Sequence, residues 1–231
     1  MAQRGDSIEA AQRCRISARE EGCDFEILPW DAVEAPDAHT AITKKLIKWT
    51  YPWQGEVNDF KTGLILSAYQ TANKNARIGC FLSHYELWEY CVRSAEPILI
   101  LEHDALFIRK LDPKPLRDSR YGIIGINDPR GATRRSDIFH RQVQDMQEDI
   151  GPVPMIDDPR VPQGLAGNSA YLIKPEAASK VIAKVKEIGA WPNDALMCYQ
   201  NFNYNLLGVT KQYYTRVQGT RSTTTLEMPF S

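Results

Sequence analysis

Residues 97–104 read Pro97-Ile-Leu-Ile-Leu-Glu-His-Asp104. Four consecutive apolar residues, bounded by a proline and an acidic turn, have the pattern of a short strand buried in a sheet covered on both faces. Side chains alternate faces along a strand. Glu102 and Asp104, two residues apart, are therefore expected to emerge together at its carboxyl end. In open α/β sheets that edge is where ligands bind. Two carboxylates there suit a hard divalent cation, Mg²⁺ or Mn²⁺, which would neutralise a bound diphosphate. The alternative is a pair of acids in a solvated turn. His103 should face the other way, with its imidazole a reserve ligand.

On the amino-terminal side of this run, residues 81–93 (FLSHYELWEYCVR) place Phe81, Tyr85, Trp88 and Val92 at helical spacing. Ser83 and Glu86 have capping-box spacing, which starts that helix at Ser83 or a turn earlier. Residues 7–21 read as a helix of good helix formers stopped by Gly22. Phe25–Leu28 reads as a short strand ended by Pro29. The Trp49–Trp53 segment (WTYPW) either packs on the core or offers rings to a sugar.

On the carboxyl side, residues 121–126 (YGIIGI) are a second buried strand. Residues 128–165 hold five prolines and three glycines punctuating a polar stretch with Arg130, Arg134 and Arg135. We expect a long mobile loop here, with a helical piece near 138–148, bordering the cleft. Ser169–Ile173 is a strand. Pro175–Ile188 is a helix with proline in its first turn and Gly189 after it. Trp191–Tyr199 begins another helix, and Val209–Val217 closes the sheet. Alternating strands and helices give an α/β fold with a mixed sheet flanked by helices, in one domain over residues 1–231.

The 231 residues carry 28 Lys and Arg against 29 Asp and Glu, a net charge of -1. Such a balance makes no global electrostatic case for nucleic acid or an anionic membrane. The five cysteines, an odd number, match no CxxC or metal-ligand spacing and read as free thiols of a reducing compartment. With no long apolar run and a polar amino terminus, the expected location is cytoplasmic, with peripheral contact at the inner membrane face left open.

The run Ile78-Gly-Cys-Phe-Leu-Ser-His84, then Leu87-Trp88, then Leu99–Asp104, resembles glycosyltransferase family 25. These are the lipopolysaccharide and procollagen galactosyltransferase-type enzymes, whose pattern reads roughly G-C-x-L-S-H-x-x-x-W, a helix, then L-I-L-E-D-D. Further blocks fall in the family's order: Phe25 to Val33, Gly167-Asn-Ser-Ala-Tyr-Leu-Ile-Lys-Pro175, Pro192-Asn-Asp194, and Gln218 with Ser222. The resemblance spans about residues 7–224. It implies a GT-A fold, a nucleotide-sugar donor such as a UDP-sugar, and transfer with inversion at the anomeric carbon. It also implies that Glu102 and Asp104 meet the metal and the donor diphosphate. His103 departs from the family by replacing the middle acid. The family also has a strand before its first helix. Here only Met1-Ala-Gln precedes Arg4, so that strand is absent, encoded upstream or supplied by another segment.

On this resemblance, Ser83, His84, Asn168 and Tyr171 are candidate donor-pocket residues. Their other reading is capping and core hydrogen bonding. Asp194 is the candidate general base, since one-step inversion needs a group that takes the acceptor's proton; otherwise it is an acid favoured by a helix dipole. The arginines of 128–165 meet a diphosphate or lie in a solvated loop. Cys80 and Cys91 read as small buried hydrophobes. Two functions follow: a metal-assisted glycosyltransferase, or a non-catalytic relic that binds a glycan or a protein. For the transferase the acceptor is a carbohydrate, with a hydroxylated nucleic-acid base as the lesser alternative.

Overall fold

The computed structural model describes residues 2–131, 135–202 and 206–219, with side chains from Gly5 onward. Helices α1 (Ala2–Glu20) and α2 (Ala35–Lys44) lead into the hairpin β1 (Glu56–Asp59) and β2 (Leu64–Ser67). The long helix α3 (Lys74–Ser94) feeds β3 (Ile98–Leu101), β4 (Ala105–Phe107) and α4 (Lys114–Asp118). There follow β5 (Ile123–Gly125), α5 (Ser136–Asp145), β6 (Ile150–Pro152), β7 (Ala170–Ile173) and α6 (Pro175–Ile188). The described chain ends with α7 (Asn193–Leu196), α8 (Tyr199–Phe202), β8 (Leu207–Thr210) and β9 (Thr215–Val217).

Five strands form the central sheet in the order β3-β7-β5-β8-β6. β7 is antiparallel to both β3 and β5, β5 is parallel to β8, and β6 is antiparallel to β8. The carboxyl ends of β3, β5 and β8 therefore share one edge of a mixed sheet. The period of two sorts the strand side chains cleanly. Ile100, Ile123, Tyr171 and Ile173 join α2, α3 and α6 in the larger core. Ala170, Leu172 and Ile124, with Leu99 and Leu101, join α1, β4 and α4 in the smaller one. Helix α1 is tied to this second layer by Ser17, whose hydroxyl accepts the Phe107 N–H at 3.0 Å.

Several expectations are corrected. β3 is an edge strand among the described residues, not a central one, and three of its four residues keep some exposure. Phe25–Leu28 forms no strand; Phe25 and Ile27 pack side-on against the smaller core instead of pairing. Helix α3 starts nine residues before Ser83, capped by Asn73, whose side chain accepts the Ala76 N–H. Its first turns are polar and carry no apolar signal. Residues 128–165 hold the expected helical piece, as α5, but also the unexpected sheet strand β6, and Phe139, Val143 and Val153 enter the larger core. The helix expected over Trp191–Tyr199 is two short turns, α7 and α8, separated at Met197-Cys198. There Cys198 bridges to Gly164, where a Cβ would meet Met197 O at 2.1 Å. The Val209–Val217 segment splits between β8 and β9, and β9 pairs with β4 in a separate two-stranded sheet. The WTYPW rings belong to the core: Trp49 and Trp53 stack at 4.7 Å against it, and Tyr51 is buried.

Candidate active site

Chain geometry at the end of β3 differs from simple strand alternation. The Ala105 N–H donates to Glu102 O at 3.1 Å, closing a tight turn over His103 and Asp104. Glu102 is held to the neighbouring strand by its own N–H, which donates to Ser169 O at 2.7 Å. The turn is fastened again from the far end of the chain. Gln218 N–H donates to Asp104 O at 2.8 Å, and its side-chain amide reaches Ala10 O and Ala105 O. Period two is thus not what relates Glu102 and Asp104. They interact across the turn nonetheless: burial, then the charge of Glu102, lifts the Asp104 carboxyl to about 6.

Helix α3 forms one wall. Cys80 and His84, one turn apart, bring Sγ and an imidazole nitrogen within 4.8 Å of a Glu102 carboxylate oxygen. His84 Nε2 lies 3.2 Å from Glu102 Oε1. Its Nδ1 lies 2.8 Å from the Tyr171 hydroxyl, which also accepts the Trp88 indole N–H at 2.9 Å. Indole can only donate, so the Tyr171 O–H is left to donate to His84 Nδ1. For the neutral ring this makes Nε2 the protonated nitrogen, donating to Glu102. The relay Trp88–Tyr171–His84–Glu102 is buried except at its last member. Burial pushes the Glu102 carboxyl up, but the His84 hydrogen bond and the nearness of the His84 and His103 imidazoles outweigh it and hold the group below its usual range.

Residues before β7 and α7 make the rest of the wall. The Asn193 amide points at Cys80 Sγ, 3.9 Å away. Asn193 Oδ1, both polar atoms of Asn168, Ser169 Oγ and Asp104 Oδ1 are buried with no hydrogen-bond partner. Five such atoms gathered around one strand end mark a place where a ligand supplies the missing partners. Asp194 is exposed, yet the protein around it desolvates its carboxyl and raises its pKa, against the opposing effects of a backbone hydrogen bond and the Arg77 charge. Glu102 acts on Asp194 electrostatically, and the Tyr69 hydroxyl bonds to it. Arg77 stacks over Tyr69 at 5.2 Å.

The donor set fits a hard cation better than a soft one. Glu102 Oε1 is committed to His84, while Oε2 accepts no hydrogen bond among the described residues. Asp104 Oδ1 is buried without a partner. Cys80 and His84 are poorer ligands: burial, then the charges of Glu102 and Asp194, keeps the thiol protonated, and the relay keeps a proton on Nε2.

Of the residues singled out in the sequence, the fold brings Glu102, Asp104 and His84 together at the end of β3, places Asp194 within electrostatic reach of Glu102, and buries Asn168 with both polar atoms unpartnered. Tyr171 lies fully buried behind His84. Ser83 neither caps a helix nor faces the pocket. Its hydroxyl donates to Gly79 O and accepts the Val33 N–H at 2.9 Å. Gly79 permits that approach, since a Cβ there would stand 2.4 Å from Val33 O. Arg130 closes on Asp128 at 2.6 Å and Arg135 on Asp157 at 3.0 Å; Arg134 and Ser222 lie outside the described residues. Cys91 is buried as expected, whereas Cys80 is half-buried and stands beside His84, Glu102 and Asn193. Trp88 and Gln218 stood out in the sequence only within the blocks that resemble the family, with no role given them; Tyr69 and Arg77 were not singled out, and only the helical spacing of Arg77 with Cys80 and His84 could have signalled the latter.

Residues 18–116 match the model of glycosyltransferase family 25 (LPS biosynthesis protein). The match takes in α2, α3 and β3 and ends in α4, so the Glu102–Asp104 turn and the Cys80–His84 face lie inside it. It supports a glycosyltransferase. Asn168, Tyr171 and Asp194 lie beyond the matched span and rest on the geometry alone. No curated protein matches the chain.

Proposed function

We propose that the chain transfers a sugar from a nucleotide-sugar donor, a UDP-sugar, to a hydroxyl of a carbohydrate acceptor, with inversion, in a GT-A-like arrangement. Glu102 Oε2 and Asp104 would hold Mn²⁺ or Mg²⁺, which when bound supplies positive charge to the donor diphosphate. His84, fixed by Tyr171 and Trp88, holds Glu102 in that pose. Asn168 offers both polar atoms of its amide to the donor, and Asn193 its Oδ1. Asp194 takes the acceptor's hydroxyl proton as that oxygen bonds to the sugar C1. The C1–O bond to the diphosphate breaks on the opposite side, and the electron pair leaves with the phosphate oxygen. A carboxyl whose pKa is raised is better matched to this proton transfer than an unperturbed one.

What supports this reading is the nearness of Glu102 to both the Asp104 and the Asp194 carboxyls, beside buried polar atoms that lack partners. The test is a transfer assay over a panel of UDP-sugars with Mn²⁺. Asp194→Asn is expected to lower turnover by about 10²–10⁴-fold with donor affinity retained. Unchanged turnover in Asp194→Asn would remove the assigned base. His103, in place of the family's middle acid, favours the second reading, a non-catalytic glycan- or protein-binding relic. Donor binding with no transfer or hydrolysis for any nucleotide sugar would select it.

A further inference from the structure

Far from helping the fold, two apolar side chains stand almost wholly in water. Phe60 is 100% exposed and Leu46 93% exposed. Phe60 sits at the tip of the β1–β2 hairpin. That tip is closed firmly: Asp59 Oδ2 accepts from Thr62 N–H and Oγ1–H, and Gly63 N–H donates to Asp59 O at 2.8 Å. Leu46 follows α2 in the left-handed region, with φ 56. Glycine normally takes this position, and a leucine there is unfavourable in its backbone as well as in its solvation. A strained residue that also exposes a large apolar side chain points to a role outside folding.

Both tips flank one helix end. Lys61 Nζ donates to Glu187 O in the last turn of α6. On the other side Ala190 N–H donates to Lys48 O at 2.8 Å, and Thr50 Oγ1–H to Ile188 O at 2.7 Å. The same surface carries exposed Lys44, Lys48, Lys61 and Lys186, none in an ion pair among the described residues. Glu187 is neutralised by Lys184 at 2.8 Å. Against a chain net charge of -1, these lysines outnumber the acids Asp59 and Glu187 beside them.

We infer that this end of the molecule docks on an anionic lipid bilayer. Phe60 and Leu46 enter the boundary between headgroups and acyl chains, and the lysines meet lipid phosphates. Exposed apolar tips with exposed lysines beside them match a bilayer interface. A protein receptor for them would have to be a matching pair of pockets in a negative surface. The inference stands apart from the proposed transferase activity and survives its failure. Among the described residues no helix is long and apolar enough to cross a membrane.

The test is co-sedimentation of the full chain with phosphatidylcholine vesicles and with mixed phosphatidylcholine–phosphatidylglycerol vesicles. Binding is expected to the mixed vesicles only, and to weaken as salt rises. Phe60→Ser and Leu46→Gly are each expected to weaken it by about tenfold or more. Lys48→Gln and Lys61→Gln are each expected to weaken it about fivefold. Leu46→Gly should melt at or above the wild-type temperature, because glycine relieves the left-handed backbone; its loss of binding is then not a loss of fold. Absence of binding to mixed vesicles, equal binding to both vesicle types, or binding untouched by Phe60→Ser would each overturn the inference.

Discussion

His84 Nε2 donates to Glu102 Oε1 across 3.2 Å, and this one contact couples the buried interior of α3 to the end of β3. Because Trp88 and Tyr171 fix which nitrogen of the ring carries the proton, the carboxylate is oriented from behind. Its second oxygen is left to the cleft. Such outer hydrogen bonds commonly set the pose and basicity of a ligating group.

Tyr171→Phe tests the relay. It strands the Trp88 N–H and the His84 Nδ1 in the core, a loss of about 1–3 kcal/mol of stability. It also frees the ring to place its proton on either nitrogen. Chemical denaturation should show the destabilisation, and Mn²⁺-dependent UDP affinity should fall although Tyr171 touches neither. Unaltered stability and affinity would dissolve the relay.

Asp104 makes stability depend on pH with a definite sign. Its carboxyl is raised from 3.8 to about 6 by burial, then by Glu102. Between those values the folded chain holds a proton that the unfolded chain has lost. Stability from this group is present below about pH 4 and falls as pH rises through about 6. Asp104→Asn should therefore be more stable than wild type at pH 7, by about 1–3 kcal/mol, with the difference vanishing near pH 4. Thermal melts across that range check it. A variant less stable than wild type at pH 7 contradicts the assignment.

Three of the sheet's strands and the helix after β7 were legible because their signals are local. Ile98–Leu101, Ile123–Gly125 and Ala170–Ile173 are apolar runs, and Pro175 and Gly189 punctuate α6. The two carboxylates were legible as a pair at a strand end. Their relation was not, because a turn closed by Ala105 and braced by Gln218 depends on a residue more than a hundred positions away. Long-range pairing also hid the edge position of β3, the unpaired course of Phe25–Leu28, and the place of β6 in the sheet. A proline-rich stretch looks like loop until a partner strand supplies its hydrogen bonds. Cys80 looked like a small core residue; only packing sets it beside His84, Glu102 and Asn193.

The close approach of the 33–34 segment to α3 depends on Gly79 and Ser83. Gly79→Ala would press a methyl group on Val33 O, and the backbone there must move; a loss of about 1–3 kcal/mol is expected. Ser83→Ala leaves the Val33 N–H without its partner and should cost about 1–2 kcal/mol. Urea titration measures both. A neutral Gly79→Ala would contradict the contact.

Hydrogen exchange divides residues 128–165. Amides within α5 from Phe139 to Val143, and Gly151 in β6, should be protected nearly as well as those of β8, because a helix and a paired sheet strand hold them. Uniformly rapid exchange over the whole segment would contradict the packing of Phe139 and Val153 into the core.

The most direct measurement is the affinity of the wild-type chain for UDP, by calorimetry, with Mn²⁺ and with chelator, alongside Glu102→Gln. The cleft predicts binding that needs the cation and weakens by about tenfold or more when Glu102 loses its charge. UDP binding that is equally tight with chelator and in Glu102→Gln would contradict a nucleotide-diphosphate site at the end of β3.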